Sequence, residues 1–595
     1  MYAVADRVYP QDVSTCKPQK SIQALCMDEF LPTPAVQEAF VEDLTDVIPR
    51  ILVTYLKAYM PMSKAVTYHI THPHSNEMNS KSEWRPLGMI FKNSNKAPEM
   101  AQICDKVQRD YVPSDQNQNK VLEKVIFDGD QLTKERARNA SWANVLADNE
   151  IERLEGLEPS FADWHLKKNM YQICHNVYFK QDSSAQIGTM CSSMNRTGKT
   201  NAKKGPDIDY NAFKDFFVRE TEAHVISRWM EFVGMESIES EPTARIIPEH
   251  IANGDKEMIA DWLKKETHVF LDLVFLNNDM SENVVKLDDQ HRNGFACREN
   301  GCEAIFPLHS TRIRHEKKNH ENLQTEDGGC DNRDKYGYYK CHAKCGLVYT
   351  TNATRERHEK KEHPEFIYTV IPDTDENNEK REDAVWNYHM SRLQIGLYFL
   401  NLEDAIKHGD GYRLLRCFKF ALLFEYKHRH TKYAYLLLHF FVKFYAVLSQ
   451  DEALRLLNNR FINYVGGIGN NVPLDLHMEH LNLMLKQLTR NSGGHLTERT
   501  IQRNARSLYT ISTIMKTVHE DCRQKQPSGH HGGEDPKSSV EIIVKDLIAG
   551  KVFQHKPGRK GYNSFQNFKK DVIGSDYRDF FCLGKKYNKT LGRNL

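Results

Sequence analysis

The 595-residue sequence has almost no net charge, because 81 lysine and arginine residues nearly balance 80 aspartate and glutamate residues. The net charge of the whole chain therefore says nothing about nucleic-acid binding, and the local distribution of charge matters more. A long apolar run is also absent. The longest, Tyr433 to Leu448, is interrupted by His439 and Lys443 and is too short to span a bilayer. We expect it to form a buried helix, and we expect no membrane partner.

Two further features are missing. The first residues, Met1 to Arg7, do not resemble a secretory leader. Gly198-Lys199-Thr200 lacks the earlier glycine of a phosphate-binding loop, because position 193 is serine. The composition, with 40% hydrophobic and 27% charged residues, is typical of a soluble globular protein. The length leaves room for about two to four domains. Thirteen cysteines, several of them paired with histidines, indicate metal ligands in a reducing compartment rather than disulfides.

The most specific local pattern is a pair of C2H2-type zinc-finger spacings, Cys-x4-Cys-x12-His-x4-His and then Cys-x3-Cys-x12-His-x4-His. Two thiolates and two imidazoles about one helical turn apart suit tetrahedral Zn²⁺. The sequence therefore predicts two ββα fingers, each with one structural Zn²⁺. The predicted ligands are Cys297, Cys302, His315 and His320 in the first finger, and Cys341, Cys345, His358 and His363 in the second.

What the fingers bind stays open at this point. Arg314 and Arg357 precede the first histidine of each finger, where a finger helix can contact guanine. The 20 residues between His320 and Cys341 are too many for fingers that follow adjacent base triplets. A structural zinc module, or one that binds protein, is the alternative.

Acidic residues follow a short apolar segment at 125–133. Asp128 and Asp130 come at the end of a run too short for a helix, which indicates a buried strand, and a helix-forming run follows. Two carboxylates there are costly unless a positive group lies against them, and a divalent metal would supply that charge. The alternative is that Asp130 or Thr133 caps the next helix.

Two other acidic residues lie in comparable places. Asp163 stands where a second short strand, predicted over 157–165 and ending in polar residues, passes into a helix, and capping of that helix is its alternative role. Glu479 lies in a narrow polar strip of a helix over 474–488 that is apolar on its other sides. The strip fits a carboxylate that faces a metal, and it equally fits a stripe that faces solvent.

These motifs together resemble a large uncharacterised family of transposon-derived eukaryotic proteins. They are the Gly129-Asp130-Gln131-Leu132-Thr133 box, Asp163-Trp164-His165 and Leu476-His477-Met478-Glu479-His480-Leu481-Asn482. The resemblance, over roughly residues 37 to 575, implies a ribonuclease-H-like transposase core, a nuclear location and DNA as a partner. It implies an Asp-Asp-Glu site of Asp130, Asp163 and Glu479, with Asp128 in reserve for the first position. In an active copy these residues would hold two Mg²⁺ ions.

The predicted fold is α/β plus mostly α, with a ribonuclease-H-like core split by a long helical insertion that contains the two fingers. Only 33 residues separate Asp130 from Asp163, which is short for the strands that normally lie between them in such a core. The predicted regions are a flexible arm (1–36), an N-terminal helical region (37–120), the first part of the core (121–210), a helical insertion (211–290), the fingers (291–366), an acidic linker (367–383), a helical bundle (384–470), a helix returning to the core and the next helix (471–519), a disordered linker (520–540) and a basic aromatic tail (541–595).

The last 45 residues carry 11 lysines and arginines against 3 aspartates, interleaved with aromatic residues. Lys556, Arg559 and Lys560 are predicted to contact nucleic acid, although a small packed subdomain is the alternative. The sequence thus favours a transposase-derived nuclear zinc-finger protein, either a DNA strand-transfer or nicking enzyme or its domesticated relic. The alternative is a non-catalytic C2H2 zinc-finger protein that binds DNA or protein. Protein partners and homo-oligomers stay open.

Overall fold

A computed structural model describes residues 1–9, 17–115, 117–275 and 382–566 apart from 492, 494–495 and 523–535, together with residue 568 and parts of 295–320 and 339–358. Most of these residues are helical. The helices are α1 Pro34–Tyr55, α2 Ser75–Asn79, α3 Ala97–Tyr111, α4 Gln131–Ala143, α5 Asp163–Tyr178, α6 Met190–Arg196, α7 Tyr210–Val233, α8 Glu249–Ala252, α9 Lys256–Phe275, α10 Ala384–His408, α11 Gly411–Lys427, α12 Thr431–Val442, α13 Gln450–Asn458, α14 Leu474–Asn491, α15 Glu498–Asp521 and α16 Pro536–Ala549.

The strands are short and pair two by two in the described ranges. The pairs are β1 Tyr2–Val4 with β2 Trp84–Pro86, β3 Ser114–Asp115 with β4 Lys120–Val121, β5 Val125–Gly129 with β6 Leu157–Phe161, β7 Phe295–Ala296 with β8 Ile305–Phe306, β9 Tyr339–Lys340 with β10 Val348–Tyr349, and β11 Phe461–Ile462 with β12 Val472–Pro473. Only β5 and β6 run parallel among them. A ribonuclease-H-like core therefore stays a prediction, because the described residues contain a single parallel pair of strands and no larger sheet.

The hydrophobic core lies between helices that are apolar on most of their circumference. Helices α7 and α10 bury residues all the way round, which is the pattern of a helix enclosed by others. Between them Arg392 Nε donates to Glu220 Oε2 at 2.9 Å, and both side chains are fully buried. Helix α10 ends at Gly409, whose φ of +69° is the left-handed conformation that favours glycine, and Asp410 then caps α11.

The N-terminal segment was predicted to be a flexible arm, and the described residues 1–9 and 17–36 instead pack on the body. Arg7 explains part of the difference. Its guanidinium donates to the carbonyls of Met78 and Phe461 and to Asn471 Oδ1, at 2.8, 3.0 and 2.8 Å. Nothing in the local sequence indicates contacts made with residues more than 450 positions away. The linker prediction for 520–540 also needs correction at its end, because α16 begins at Pro536.

A chain of buried imidazoles joins α7 and α10 to the C-terminal segment. His224 Nδ1 donates to the Glu220 carbonyl at 2.7 Å, so the neutral ring accepts at Nε2 from His389 Nδ1 at 3.0 Å. His389 Nε2 then accepts from the Tyr562 hydroxyl at 2.8 Å. With both imidazole rings neutral, every ring nitrogen of His224 and His389 has a hydrogen-bond partner. A proton added to either ring would break one of these hydrogen bonds.

We expect this chain to make the protein sensitive to acid. Burial, and then the charge of Arg392, lower the pKa of His224 to about 3, and burial also lowers the pKa of His389 well below its ordinary value. Both folded-state values lie below that of an unfolded histidine, so the unfolded chain binds protons first as the pH falls below about 6.5. The contribution to stability is complete above that pH and is lost below it, by about 2 kcal/mol for His224 at pH 5.

Thermal unfolding of the His224→Gln variant between pH 7.5 and 5 measures this effect. The fall in unfolding temperature should be clearly smaller than in the unchanged protein. His555→Gln, at an exposed histidine of the same C-terminal segment, is the matched control and should keep the full fall. An identical pH dependence in all three proteins would contradict the assignment.

Candidate functional site

The parallel strand pair places the predicted acidic residues at one edge. In the register, Asp128 lies opposite Ser160 and Gly129 opposite Phe161, so β5 and β6 end side by side. Because the carboxyl ends of parallel strands lie at the same edge, the starts of α4 and α5 are brought together there. Helix α14 contacts both β5 and α5. The three sequence motifs, far apart in the chain, therefore meet at this edge.

Asp163 points into the protein rather than toward solvent. It is 3% exposed, and Arg460 binds both of its oxygens, Nη2 to Oδ1 at 2.6 Å and Nε to Oδ2 at 3.1 Å. The guanidinium also donates to the Phe161 carbonyl at 2.5 Å and to Ser160 Oγ at 3.2 Å. The positive group that the sequence required beside these carboxylates is thus an arginine.

Two more aspartates share the same cation. Burial raises the pKa of Asp128 to about 6, although Arg460 opposes that rise, and the charges of Asp163 and Asp475 add to it. Burial likewise raises the pKa of Asp163 against the pull of Arg460. We call Asp128, Asp163, Asp475 and Arg460 the inner cluster. It carries three acidic groups on one guanidinium, so Asp128 takes up a proton at a higher pH than an ordinary aspartate, at about pH 6.

Asp475, in the first turn of α14, holds the start of α5 and the ring of His165. Its oxygens accept from the backbone N–H groups of Trp164 and His165 at 3.1 and 2.9 Å, and from His165 Nδ1 at 2.8 Å. The second ring nitrogen, Nε2, remains for other contacts. Burial alone would lower the pKa of His165, but the bond to Asp475 and the charges of Asp475, Asp130 and Glu479 raise it above the ordinary value.

Asp130 and Glu479 lie on the outer side of this histidine. Asp130 Oδ1 accepts from the Thr133 backbone N–H at 2.7 Å, which caps α4, so the capping role is real. Asp130 is half-buried and Glu479 is exposed, one turn after Asp475 on α14. We call Asp130, His165 and Glu479 the outer site.

The predicted triad is therefore divided. Asp163 belongs to the inner cluster, whereas Asp130 and Glu479 belong to the outer site. Within the described ranges, one group of three or more histidine, cysteine or acidic side chains lies close enough together to bind a metal ion. That group is in the first zinc-finger segment. The two-metal arrangement is not preformed by these side chains, and Asp163 is committed to Arg460.

Sequence reasoning missed three contributors. Asp475 carries a signal that could have been used, because it lies four residues before Glu479 in the same polar strip of the helix. His165 was noted only as part of a motif. Arg460 gives no local signal, since it lies in the short turn between α13 and β11 with no motif around it.

The first zinc-finger segment has its predicted ligands together. One ligand atom from each of Cys297, Cys302, His315 and His320 lies within 4.8 Å of the others. Cys302 Sγ is 3.3 Å from His315 Nε2, which is 3.2 Å from His320 Nε2. Four atoms at such separations can surround one tetrahedral ion.

Several predicted residues lie outside the described residues. They are Arg314 of the first finger and Cys341, Cys345, Arg357 and His363 of the second. Of the second finger, the structure describes His358 and the β9–β10 pair.

In the C-terminal segment, Arg559 is held inside the protein's own network. Its Nη2 lies 2.7 Å from Asp383 Oδ2, and its guanidinium also donates to the Lys551 and Gln554 carbonyls at 3.1 Å. This position fits the alternative of a packed subdomain. Lys556 and Lys560 are exposed.

Residues 19–531 match the model of a family of unknown function, DUF6589. No curated protein and no solved structure matches the chain. None of the helices in the described ranges combines the length and the apolar character that a membrane span requires.

Proposed function

The chain belongs to the DUF6589 family, and we propose that it is a transposase-derived zinc protein that cuts or joins DNA strands at the outer site. The observation that carries the proposal is the meeting of three motifs, whose acidic residues are 33 and 316 positions apart, at one edge of the parallel pair. The resemblance to transposon-derived proteins supports the chemistry. It also supports a nuclear location and DNA as the partner.

The inner cluster does not fit Mg²⁺. Arg460 binds both oxygens of Asp163, and Asp475 is engaged by two backbone N–H groups and His165. A cation placed among these groups would repel the guanidinium.

The outer site fits a divalent ion better. Asp130 uses Oδ1 for its cap and keeps Oδ2, and Glu479 has no ion pair within the described part of the chain. Carboxylate oxygens suit Mg²⁺ or Mn²⁺. When bound, such an ion polarises a phosphodiester and lowers the pKa of its water.

His165 has a separate role in this proposal. Asp475 fixes Nδ1 and leaves Nε2 to act, and the raised pKa means that the ring holds a proton at a higher pH than an ordinary histidine. A protonated imidazole beside a phosphodiester can donate to the leaving oxygen as a general acid. Asp475 is then a positioning residue for His165.

The second function that an observation favours is a non-catalytic zinc-finger protein that binds DNA or protein. Arg460 neutralises the buried aspartates without a metal, which is what a site that has lost its metal would need. Nicking of supercoiled and linear DNA by the purified full chain, with Mg²⁺ or Mn²⁺ and with chelator as the control, decides between the two. Metal-dependent nicking supports the catalytic function. No nicking with either metal rejects it in favour of the non-catalytic one.

For the fingers we propose one structural Zn²⁺ on Cys297, Cys302, His315 and His320, and one on the corresponding residues of the second finger. Replacing Cys302 by serine should lower bound zinc from about two to about one per chain, because three ligands no longer close a structural site. Metal analysis by mass spectrometry measures the content. Cys522→Ser, at an exposed cysteine away from the fingers, is the matched control and should keep both ions. Zinc-free protein from a chelator-free preparation would overturn the assignment.

We further propose that Lys556 and Lys560, rather than Arg559, bind DNA phosphates at the C-terminal segment. Changing both lysines to glutamate should weaken binding and reduce the slope of log affinity against log salt by about one for each phosphate that the variant no longer neutralises. Substitution is the suitable test, because Val552 and Phe553 belong to the buried core and deletion of the segment would disturb the fold.

Fluorescence anisotropy with labelled duplex DNA at several salt concentrations gives the slope. The double variant Lys81→Glu/Lys120→Glu, at exposed lysines elsewhere, carries the same change of net charge as a control. Equal slopes in the two double variants would mean that the C-terminal segment serves only for packing.

A further inference from the structure

A cavity of about 280 Å³ lies beside the outer site. It is enclosed by residues 86–103, the end of β5, α14 and α15, and its walls include Met89, Met100, Phe127, Met478 and Leu485. Pockets for drug-sized ligands run roughly 300–1,000 Å³, so this one suits a single small group.

The cavity and the outer site share their supports. Thr133 lines the cavity, and its backbone N–H is the donor to Asp130. Met478 lines it from the position next to Glu479. The cavity is therefore lined by residues of α4 and α14, the helix that Asp130 caps and the helix that carries Glu479.

We propose that this cavity receives one unstacked nucleobase of the DNA whose phosphodiester lies at the outer site. This inference rests on the proposed function. A base has apolar faces and polar edges, and the cavity matches both, because its surface is mostly apolar, with several methionine and leucine side chains, while Ser94, Thr133 and Asn482 add polar groups. Methionine sulfur also makes favourable contacts with aromatic rings.

The rim suits the phosphate that follows such a base. Lys92 lines the cavity and is exposed, so its ammonium can meet a phosphate while the base lies inside. The rim is also fixed in place. Gly88 has a φ of +96°, and the next residue, Met89, donates its backbone N–H to Gln502 Oε1 of α15 at 2.8 Å. A preformed cavity offsets part of the cost of unstacking a base, which is a few kcal/mol.

Saturation-transfer NMR on the full chain tests the inference without knowledge of the DNA sequence. The probe is deoxyadenosine 5′-monophosphate, and deoxyribose 5-phosphate, which lacks the base, is its control. We expect transfer to the adenine protons with the unchanged protein. Leu485→Trp fills the cavity from α14 and should abolish that transfer. Leu483→Trp, two residues away on the same helix but 57% exposed, should keep it.

Ser94→Trp is a second variant that fills the cavity, from the segment 86–103, and it controls for a folding defect in Leu485→Trp. The unfolding temperature of both variants is measured. Loss of adenine transfer in both filling variants, with retention in Leu483→Trp, supports the base site. No transfer with the unchanged protein, or equal transfer in all variants, overturns it. The nicking assay on the same proteins tests the proposed function separately. Nicking without adenine transfer would reject only the base-binding role of the cavity. Adenine transfer without nicking would reject only the catalytic function.

Discussion

Glutamine in place of Glu479 is expected to remove metal-dependent nicking while the unfolding temperature stays unchanged. Glu479 is exposed and makes no ion pair within the described part of the chain, and such surface substitutions have little effect on stability. Loss of a second-layer partner of a metal already costs about 10–100-fold in activity, so loss of a ligand should cost at least about 100-fold.

The assay compares initial nicking rates at saturating Mn²⁺ for the unchanged protein, Glu479→Gln and Asp130→Asn. Glu498→Gln, an exposed glutamate at the start of the neighbouring helix α15, is the matched control and should nick normally. An unchanged rate in Glu479→Gln would place the reaction elsewhere. Equal loss in Glu498→Gln would point to general damage by the substitution.

The largest effect on stability is expected from Arg460→Met. The substitution keeps an unbranched apolar stem but removes the guanidinium, which leaves Asp128, Asp163 and Asp475 without their shared cation. Removing one partner of a buried ion pair costs about 3–5 kcal/mol, because the remaining charge stays buried without compensation. Chemical denaturation at pH 8 should show a loss of this size in the free energy of unfolding.

The pH dependence gives this prediction a second readout. Burial already raises the pKa of Asp128 to about 6 with Arg460 present, and it raises the pKa of Asp163 as well, so without the arginine the folded-state pKa values of these two aspartates should rise further above their unfolded ones. A raised acid pKa means that the folded state binds protons more tightly, so the penalty grows as the pH rises and shrinks as it falls. The Arg460→Met defect should therefore be smaller at pH 5 than at pH 8.

Arg455→Met is the matched control, five residues earlier. Arg455 pairs with Asp6 and Glu123 nearer to the surface, and such pairs are worth about 0–1 kcal/mol. The double variant Arg460→Met/Asp163→Leu should recover part of the loss, because replacing both members of a buried pair removes the uncompensated charge. Equal losses in Arg455→Met and Arg460→Met would show that Arg460 does not neutralise the buried aspartates.

The local parts of the site follow from short-range rules. An apolar run ending in aspartates predicts the strand that ends at Gly129, and helix-forming residues predict the helix that begins at Gln131. Asp163 stands at the second passage from strand to helix, and the helix carrying Glu479 begins at Leu474 as its apolar stripe indicates. Each of these depends on residues within one or two turns.

The protonation and pairing of the acidic side chains depend on partners that are distant in the sequence. The local sequence does not predict these partners. From the sequence alone, a bound metal ion and an arginine are equally good candidates to neutralise a buried aspartate. The choice of Arg460 follows from a turn that brings residues 297 positions apart together. Asp130 shows the same limit of sequence reasoning. One of its carboxylate oxygens caps α4, and the residue still belongs to the outer site, so the two roles do not exclude each other. Spacing alone therefore could not divide the acids into an inner and an outer set.

The dispersal of the site along the chain has a consequence for its synthesis. Glu479 follows Asp130 by 349 residues, and at about 5–20 residues per second a ribosome adds that stretch in roughly 17–70 s. During this interval the growing chain has Asp128 and Asp163 but neither Arg460 nor α14, so the edge of the strand pair cannot close. A truncated product that ends before residue 460 would carry the same defect. If the proposed function holds, cutting at this edge would begin only once Arg460 and α14 have been added, and shorter chains would not cut DNA.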